Sequence, residues 1–427
     1  MRLRTLFLSL ILPLSTFPLH AQNYTTDAPY IRMTTEGGWD AKDNNAVWML
    51  TITPQSGAQN VWVDWNGNEQ YDTGEESYAE IHPVTSKTIT IYGDVVELDC
   101  PFNDLLSLDI SHNEMLEVLF CQQNLLTALD LSKSHSLTTL DCGYNRIQSL
   151  DCSSLLNATE IYCDRNKVLE TLILPATDKL TRVDCFVNRL KTLDVRQLPN
   201  LLYLYIDENE IEEIDLSNNT NLLGLTCSAN KLTKLDLGKN MNLTILDCSR
   251  NHIPQLSLSP NTKLKTIACY SLGLSGESLD ELIASLHTNS ASESKKFVVF
   301  SNLSDENNIC TTTQVQEAAE RGWTAMEEIF NSEGIVIDRI PYAGTTGLTE
   351  IWAQPQLFIY PNPTTSVVHV RLPEALAGAT ATLSNVAGKT VLTLPSVERS
   401  FRIDLSNYPQ GVYILRVGTA FAKVLRH

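Results

Sequence analysis

Residues 64–75 place oxygen-bearing side chains at the spacing of a calcium-binding loop. Positions 1, 3, 5, 9 and 12 of the segment carry carboxylate or amide oxygens, and position 7 offers a backbone carbonyl. Such oxygens are the ligands that Ca²⁺ takes in proteins. The predicted ligands are Asp64, Asn66, Asn68, Gln70, Asp72 and Glu75.

This segment is not an EF-hand, because Glu69 stands at the position where that loop requires glycine. The flanking residues also have the alternating pattern of strands and not of helices. Two interpretations therefore remain. The segment is either a calcium loop between strands or a polar hairpin turn, which Asn66-Gly67-Asn68 favours by itself.

Cysteines form a second regular set of reactive side chains. Eight of them share one column, with Ile206 at the same position of one repeat: Cys100, Cys121, Cys142, Cys163, Cys185, Cys227, Cys248 and Cys269. The step is 21 residues, except for a step of 22 after Cys163. No pair has the CxxC spacing of a metal site. We expect buried free thiols that pack as small apolar groups, here and at Cys152 and Cys310. Disulfides between neighbouring repeats are the alternative in an exported protein.

An asparagine follows each column position by three residues. The asparagines are Asn103, Asn124, Asn145, Asn166, Asn188, Asn209, Asn230 and Asn251, and the ninth position holds Leu272. A side-chain amide there can pair with backbone N–H and C=O groups of a turn that would otherwise be buried without partners. We expect these asparagines to be structural.

The elements that must position these columns are the units of a solenoid. The repeat Leu-x-x-Leu-x-Cys-x-x-Asn-x-Leu-x-x-Leu-Asp-Leu-Ser spans residues 95–272 and is typical of a leucine-rich repeat. Leu246 and Cys248 lie two residues apart, so both point inward from one strand. One strand from each repeat forms a parallel sheet, and a shorter extended or single-turn segment closes the convex side.

Side chains that alternate with the inward column line the concave face of the sheet. Exposed aromatic residues next to charged ones are typical of protein interfaces, although tyrosine also favours strands for packing reasons alone. The predicted partner-binding residues are Phe120, Tyr162, Arg182, Phe186, Tyr203, Tyr205, Asp207 and Tyr270.

Charge and composition argue against several function classes. The 427-residue chain has a net charge of −19, which disfavours nucleic acid and anionic membranes as partners. Gly273-Leu274-Ser275-Gly276 is followed by Glu277 and therefore does not form a nucleophile elbow. The eight histidines are scattered, and the column cysteines point inward. We expect no catalytic activity.

The sequence predicts a mainly β protein of several domains. Arg2, Arg4 and the apolar stretch after them predict a signal peptide and no transmembrane span. The predicted domains are a signal peptide (1–21), an N-terminal β cap domain (22–94), the leucine-rich repeats (95–272), an α/β C-terminal cap (273–345), a linker (346–356) and a C-terminal β-sandwich (357–427). The caps are expected because a terminal repeat must cover its apolar face. Within the C-terminal cap we predict helices over 277–287 and 312–321, the second capped by Thr312 or Thr313.

Two families are similar to parts of this chain. The repeats resemble internalin-like bacterial leucine-rich repeat surface proteins of the cysteine-ladder type. Residues 357–427 resemble the C-terminal sorting domain of the type IX secretion system, with matching words at Tyr360-Pro361-Asn362-Pro363, Val386-Ala387-Gly388-Lys389 and Leu405-Ser406-Asn407-Tyr408-Pro409-Gln410-Gly411. The second resemblance implies export across both membranes, followed by attachment to the cell surface or release.

The resemblances imply an exported bacterial surface adhesin. Its concave sheet would bind a protein or a glycan on host cells or on neighbouring bacteria, with virulence as one context. A self-associating structural component of a biofilm is the alternative, and a substrate platform of an enzyme is a weaker one. Calcium is the expected cofactor, and the secretion machinery is an expected partner.

Overall fold

The computed structural model describes residues 26, 28–35, 47–48, 50–56, 61–76, 82–83, 86–288, 295–345, 357–360, 362–372, 376–385, 389–418 and 420–427. The chain forms two compact units, Met1–Gly344 and Thr345–His427. The predicted signal peptide and linker lie outside the described residues. The predicted domain boundaries remain predictions.

The strands and the two helices follow in chain order. They are β1 Tyr30–Thr35, β2 Val47–Trp48, β3 Thr51–Pro54, β4 Trp62–Asp64, β5 His82–Pro83, β6 Thr88–Tyr92, β7 Val95–Asp99, β8 Leu105–His112, β9 Val118–Phe120, β10 Thr139–Asp141, β11 Ser149–Asp151, β12 Glu160–Tyr162, β13 Thr171–Ile173, β14 Arg182–Asp184, β15 Tyr203–Tyr205, β16 Gly224–Thr226, β17 Ile245–Asp247, β18 Thr266–Ala268, α1 Glu277–Ser285, β19 Lys295–Ser301, α2 Thr312–Glu320, β20 Trp323–Phe330, β21 Val336–Pro341, β22 Phe358–Tyr360, β23 Val367–Arg371, β24 Ala381–Asn385, β25 Thr390–Leu394, β26 Ser400–Asp404, β27 Gly411–Val417 and β28 Ala420–Arg426. Within the described residues, neither helix is long and apolar enough to cross a membrane.

A 13-stranded sheet runs through the first unit and confirms the predicted solenoid. Its central strands pair in parallel at the repeat period, so that Leu140 lies beside Ile161 and Leu204 beside Leu225. All ten cysteines are buried and free, which confirms the packed-thiol prediction and excludes disulfides. Burial raises the pKa of each thiol, and that of Cys310 reaches about 12.

Each column asparagine from Asn124 to Asn251 hydrogen-bonds to two repeats. The Asn209 Oδ1 atom accepts the Leu190 N–H at 3.0 Å, while its Nδ2 donates to the carbonyls of Cys185 at 3.0 Å and Ile206 at 3.1 Å. The residue before each asparagine has a positive φ, for example 56° at Val187. That backbone turn is what aims the amide inward.

Leu272 stands where the ninth column asparagine would be, and Asn308 of the C-terminal cap makes the hydrogen bonds of that asparagine. Asn308 donates to the carbonyls of Cys269 at 2.8 Å and Val299 at 2.9 Å, and it accepts the Leu274 N–H at 2.9 Å. Cys269 and Val299 directly follow Ala268 and Val298, which pair in the parallel register of β18 and β19. The cap therefore continues the asparagine column and the parallel sheet as an enlarged repeat.

The N-cap of α2 differs from the prediction of Thr312 or Thr313. Thr311 accepts the Gln314 N–H, and the Gln314 side chain accepts the Thr311 N–H, which forms a capping box. Glutamine three residues after a threonine is the signature of this motif. The reciprocal pair therefore places the N-cap at Thr311, one residue before the nearer predicted position, while the helix begins at Thr312 as predicted.

The N-terminal residues form a four-stranded antiparallel sheet in the order β4-β6-β1-β8. Strand β8 belongs to the convex half of the first repeat, so this repeat is tied into the cap by backbone pairing. In addition, β3 pairs with β7 and extends the long sheet. One continuous apolar core joins the N-terminal sheet, the repeats and the C-terminal cap.

The second unit consists of two antiparallel sheets, β22-β23-β26 and β25-β24-β27-β28. Val368 and Val370 of one sheet and Leu383, Leu415 and Val417 of the other belong to one buried core. The predicted β-sandwich is confirmed.

Candidate functional site

The middle of the concave sheet holds a stack of two tyrosines and an arginine. Tyr162 lies on β12, Arg182 on β14 and Tyr205 on β15, at concave positions of three neighbouring strands. The Arg182 guanidinium carbon lies 5.2 Å from the Tyr162 ring centroid and 4.9 Å from that of Tyr205. Both faces of the guanidinium are therefore in cation–π contact.

Ion pairs and hydrogen bonds fix this stack. Arg182 donates to both oxygens of Asp184, at 2.9 and 2.8 Å, in the bidentate geometry that arginine favours. The Tyr162 hydroxyl donates to Glu160 at 2.7 Å. These hydrogen bonds hold Arg182 and Tyr162 in place through the carboxylates of Asp184 and Glu160.

A second stack contains the predicted residue Phe186 and two residues that the sequence analysis missed, Tyr144 and Arg165. The Arg165 guanidinium carbon lies 5.1 Å from the Tyr144 ring centroid and 5.2 Å from that of Phe186. Tyr144 and Arg165 both precede a column asparagine and have a positive φ. The position before a column asparagine could have identified both residues, because a side chain at this left-handed turn points to the edge of the concave face. We call the surface of Tyr144, Tyr162, Arg165, Arg182, Phe186, Tyr203 and Tyr205 the aromatic face.

Tyr203 extends the aromatic face toward the next repeat. Its ring centroid lies 6.2 Å from that of Tyr205. A β-carbon on Gly224, its neighbour on β16, would lie 3.0 Å from the Tyr203 ring. Glycine therefore gives the ring room to lie over the neighbouring strand.

Carboxylates lie beside the aromatic face. Burial, together with the negative charges of Asp141 and Asp184, raises the pKa of Asp164 to about 6. Burial likewise raises the pKa of Asp207 and of Asp247, and these two carboxylates interact with each other. Asp207 accepts the Thr226 and Ser228 hydroxyls and the Ser228 N–H.

Two predicted partner-binding residues lie apart from the rest. Phe120 is half-buried on β9, and strand β10 lies between β9 and the strand that carries Tyr162. Tyr270 was expected on the accessible face, but only 4% of it is exposed, so that expectation is wrong. Its ring packs with Val298, Met326 and Phe330, because the C-terminal cap covers this end of the concave sheet.

The predicted calcium loop is closed by its own side chains. Asp64 accepts the N–H groups of Gly67 at 2.6 Å and Glu69 at 2.9 Å. Asp72 accepts the side-chain amides of Asn66 and Asn68, while Glu75 accepts the N–H groups of Trp65 and Asp72. Among the described residues, no group of three His, Cys, Asp or Glu side chains is arranged to hold a metal. Gln70, the remaining predicted ligand, lies in the same loop and is exposed.

Burial raises the pKa of Glu75, and the negative charges of Asp64 and Asp72 add to the effect. Three carboxylates with two side-chain amides are a donor set that suits a hard cation such as Ca²⁺. The residue types therefore suit such a cation, whereas their arrangement here pairs them with one another and with backbone N–H groups, and calcium binding stays a prediction.

Several solved structures share the repeat architecture. The functional domain of InlJ from Listeria monocytogenes, which includes a cysteine ladder, is 21% identical with a TM-score of 0.44, and the match covers 78% of this chain and 81% of that one. Internalin F from Listeria monocytogenes is 21% identical with a TM-score of 0.33, covering 57% of this chain and 82% of that one. The leucine-rich effector protein YopM from Yersinia pestis is 24% identical with a TM-score of 0.31, covering 36% of this chain and 54% of that one.

At these identities and scores the likeness concerns the solenoid alone and says nothing of partners. No curated protein matches the chain. The C-terminal unit gives the more specific finding. Residues 358–426 match the family described as the secretion system C-terminal sorting domain, and the chain therefore carries a sorting domain of that kind.

Proposed function

We propose that this protein is an exported adhesin that stays attached to the bacterial surface and binds a partner protein through its aromatic face. The observation that carries the proposal is the Tyr162–Arg182–Tyr205 stack, with Arg182 fixed by Asp184. Aromatic residues and arginine are enriched among the residues that dominate protein interfaces. A rigid cluster also loses little side-chain entropy on binding.

The charge around the aromatic face favours a basic partner. Asp141, Glu160, Asp164, Asp184 and Asp207 lie on or beside it, against Arg165 and Arg182. Opposite charge across an interface speeds association and selects the partner. A glycan with basic groups is the alternative ligand for this surface.

Export is supported by the sorting domain, which indicates passage through the type IX system. Deletion of residues 357–427 should leave the protein inside the outer membrane, detected by cell fractionation. Equal amounts of the deleted and full-length proteins at the surface would contradict this role.

A double substitution tests the binding proposal. Tyr205→Ala with Phe186→Ala removes one ring from each stack and should abolish capture of surface proteins from host cells or neighbouring bacteria in a pull-down. Leu156→Ala with Ile173→Ala is the matched control, because both residues are exposed apolar side chains on the convex half of the repeats. Unchanged capture by the aromatic variant would exclude this face.

Self-association as a structural biofilm component is the second candidate. The exposed apolar strand β21, at the end of the long sheet, is the observation that favours it. Size-exclusion chromatography at increasing concentration separates the two candidates, because an adhesin stays monomeric and a self-associating protein does not.

We also propose that the loop of residues 64–75 binds calcium. Asp64, Asn66, Asn68, Asp72 and Glu75 would hold the ion through side-chain oxygens, and Gln70 through its carbonyl. The ion would neutralise the carboxylates and stabilise the loop against the N-terminal sheet, where Tyr71 contacts the Trp62 ring edge-on at 5.8 Å.

A further inference from the structure

Asn66 and Gly67 form an exposed turn within the loop of residues 64–75. The Asn66 Oδ1 atom accepts the Asn68 N–H at 2.9 Å, which is the hydrogen bond of an Asx turn. This turn folds the side-chain amide back over the peptide nitrogen of Gly67. Gly67 has a φ of 73°, and a β-carbon there would overlap the Ser86 side chain. Glycine is therefore required at this position, and it leaves its own nitrogen unshielded.

Three hydrogen bonds around this turn suit an attack by the Gly67 nitrogen on the Asn66 side chain. Asp64 Oδ1 accepts the Gly67 N–H at 2.6 Å, so a carboxylate can take the proton of the attacking nitrogen. The Asn68 N–H, which also lies 3.2 Å from Asp64 Oδ1, can stabilise negative charge on the oxygen of the attacked amide. Asp72 Oδ2 accepts from Asn66 Nδ2 at 2.8 Å and holds the nitrogen that would leave.

Asn331 provides a comparison within the same chain. Its Oδ1 atom accepts the Glu333 N–H at 2.9 Å and so makes the same kind of turn. The residue after it is Ser332, whose side chain crowds the nitrogen that would attack. The turn alone is thus common to both asparagines, whereas the glycine nitrogen held by a carboxylate is found at Asn66.

We propose that Asn66 is a site of self-modification, at which the folded loop converts the asparagine to aspartate and isoaspartate. The Gly67 nitrogen forms a bond to Cγ of Asn66, and its proton passes to Asp64. The bond between Cγ and Nδ2 then breaks, and Nδ2 leaves as ammonia after taking up that proton. One water molecule opens the resulting succinimide ring at either of its carbonyl carbons, which gives aspartate or isoaspartate.

The product weakens the loop. Asn66 donates to Asp72 from its amide nitrogen, whereas a carboxylate at position 66 has no hydrogen to donate and is repelled by Asp72. Isoaspartate in addition lengthens the backbone by one carbon atom before Gly67. Because the ammonia is lost, the change is permanent in each molecule. The inference rests on distances within the loop and is independent of the proposals for partner binding and calcium.

The experiment follows conversion of Asn66 in the full chain by mass spectrometry of proteolytic peptides, with a chelator present. One sample is native, and the other is unfolded in guanidinium chloride, where the three hydrogen bonds are absent. The native chain should convert Asn66 at least about tenfold faster, because a positioned base contributes about 10²–10⁴ in rate. Asn331 of the native chain should convert more slowly than Asn66.

Two variants test the role of the carboxylate. Asp64→Asn removes the base and should lower the native rate to that of the unfolded chain. Glu69→Gln is the matched control, because Glu69 lies in the same loop and its carboxylate faces Arg32 at 3.6 Å instead of the turn. It should keep the wild-type rate.

Three results would overturn the inference. The first is a native wild-type chain that converts Asn66 no faster than the unfolded chain, a comparison that holds even if Asp64→Asn fails to fold. The second is a folded Asp64→Asn variant that keeps the wild-type rate. The third is equal conversion of Asn66 and Asn331 in the native chain.

Discussion

The side chain of each column asparagine occupies the place where one repeat turns onto the next. Asn209 pairs with backbone groups of Leu190, Cys185 and Ile206, all of which are buried. Loss of the amide would leave those N–H and C=O groups without partners, and a buried unpaired group costs about 1–3 kcal/mol.

Asn209→Ala should therefore lower the free energy of unfolding by about 3 kcal/mol in urea titrations. Asn221→Ala is the matched control, because Asn221 is exposed and donates to the Pro199 carbonyl at the convex surface. It should cost about 0.5 kcal/mol or less. Equal losses in the two variants would show that the column is not what joins the repeats.

Asp164 makes a testable contribution to stability. Its pKa is raised by burial from 3.8 to about 6 in the folded chain, so the folded state binds a proton more tightly than the unfolded state. The stability gained by protonation is complete at low pH and is lost as the pH rises through 6.

Asp164→Asn removes the carboxylate and with it the loss of stability at higher pH. Relative to the wild type, the variant should therefore gain about 2 kcal/mol in free energy of unfolding between about pH 4.5 and about pH 7.5. Urea unfolding at both pH values measures the difference. Asp130→Asn should show no such gain, because hydrogen bonds to Ser132 lower the pKa of Asp130. A constant effect of Asp164→Asn across this range would contradict the burial of the charge.

For single residues, the sequence predicted which positions repeat along the solenoid better than it predicted which side chains contact each other. The repeat period correctly predicted that the cysteines and asparagines are buried. Residues one period apart occupy the same position on a repeated backbone, so their side chains point the same way. It missed a second buried set on the convex side: Asn113, Asn219, Asn240 and Asn261. Asn219, Asn240 and Asn261 donate to carbonyls of the preceding repeat. Their column is hard to see because Ser134, Leu155 and Leu198 occupy the same position in other repeats.

Among the elements, the loop of residues 64–75 is the one whose stability should respond to an ion. Calcium at about 1 mM should raise the melting temperature by about 1–4 °C over chelator, given the weak affinities of extracellular sites. Asp64→Asn should abolish this shift. Glu69→Gln, in the same loop but not a predicted ligand, should retain it.

Tryptophan fluorescence provides a second measurement of the same loop. Trp62 stacks on Tyr92 with ring centroids 4.4 Å apart, and it contacts Tyr71 of the loop edge-on. Ordering of the loop by calcium should change its emission. If neither the melting temperature nor the emission responds, the loop is a polar turn.

Element types were easier to predict than their exact ends and exposures. Both cap helices were predicted, whereas the N-cap of α2 was misplaced because it depends on the reciprocal Thr311–Gln314 pair. Tyr270 was expected to be accessible because it occupies a concave position. Its burial comes from the cap residues Met326 and Phe330, which are more than fifty positions away in the sequence.

At the scale of the whole molecule, the continuous core predicts that the two ends of the solenoid do not unfold before its middle repeats. The apolar core runs from Ile31 to Ala325 and includes every cysteine, with the N-terminal sheet and the C-terminal cap covering its ends. Neighbouring repeats stabilise each other, so uncovered ends would fray.

Thiol labelling along a denaturant series measures this directly. The native protein should label at fewer than one of its ten cysteines, and all ten should react over one denaturant range. Cys100 and Cys310 should be protected as long as Cys185. Earlier labelling of Cys100 or Cys310 would show that the caps do not seal the core.

Strand β21 leaves one end of the long sheet open to other chains. All six of its residues are exposed, including Ile337 and Ile340, and no strand in the described part of the chain pairs with its outer edge. Free backbone N–H and C=O groups beside aliphatic side chains are a template for one more strand. If many copies were crowded on a small area of membrane, the β21 edges of neighbouring molecules would meet. Pairing between these edges would make the layer of molecules stiffer.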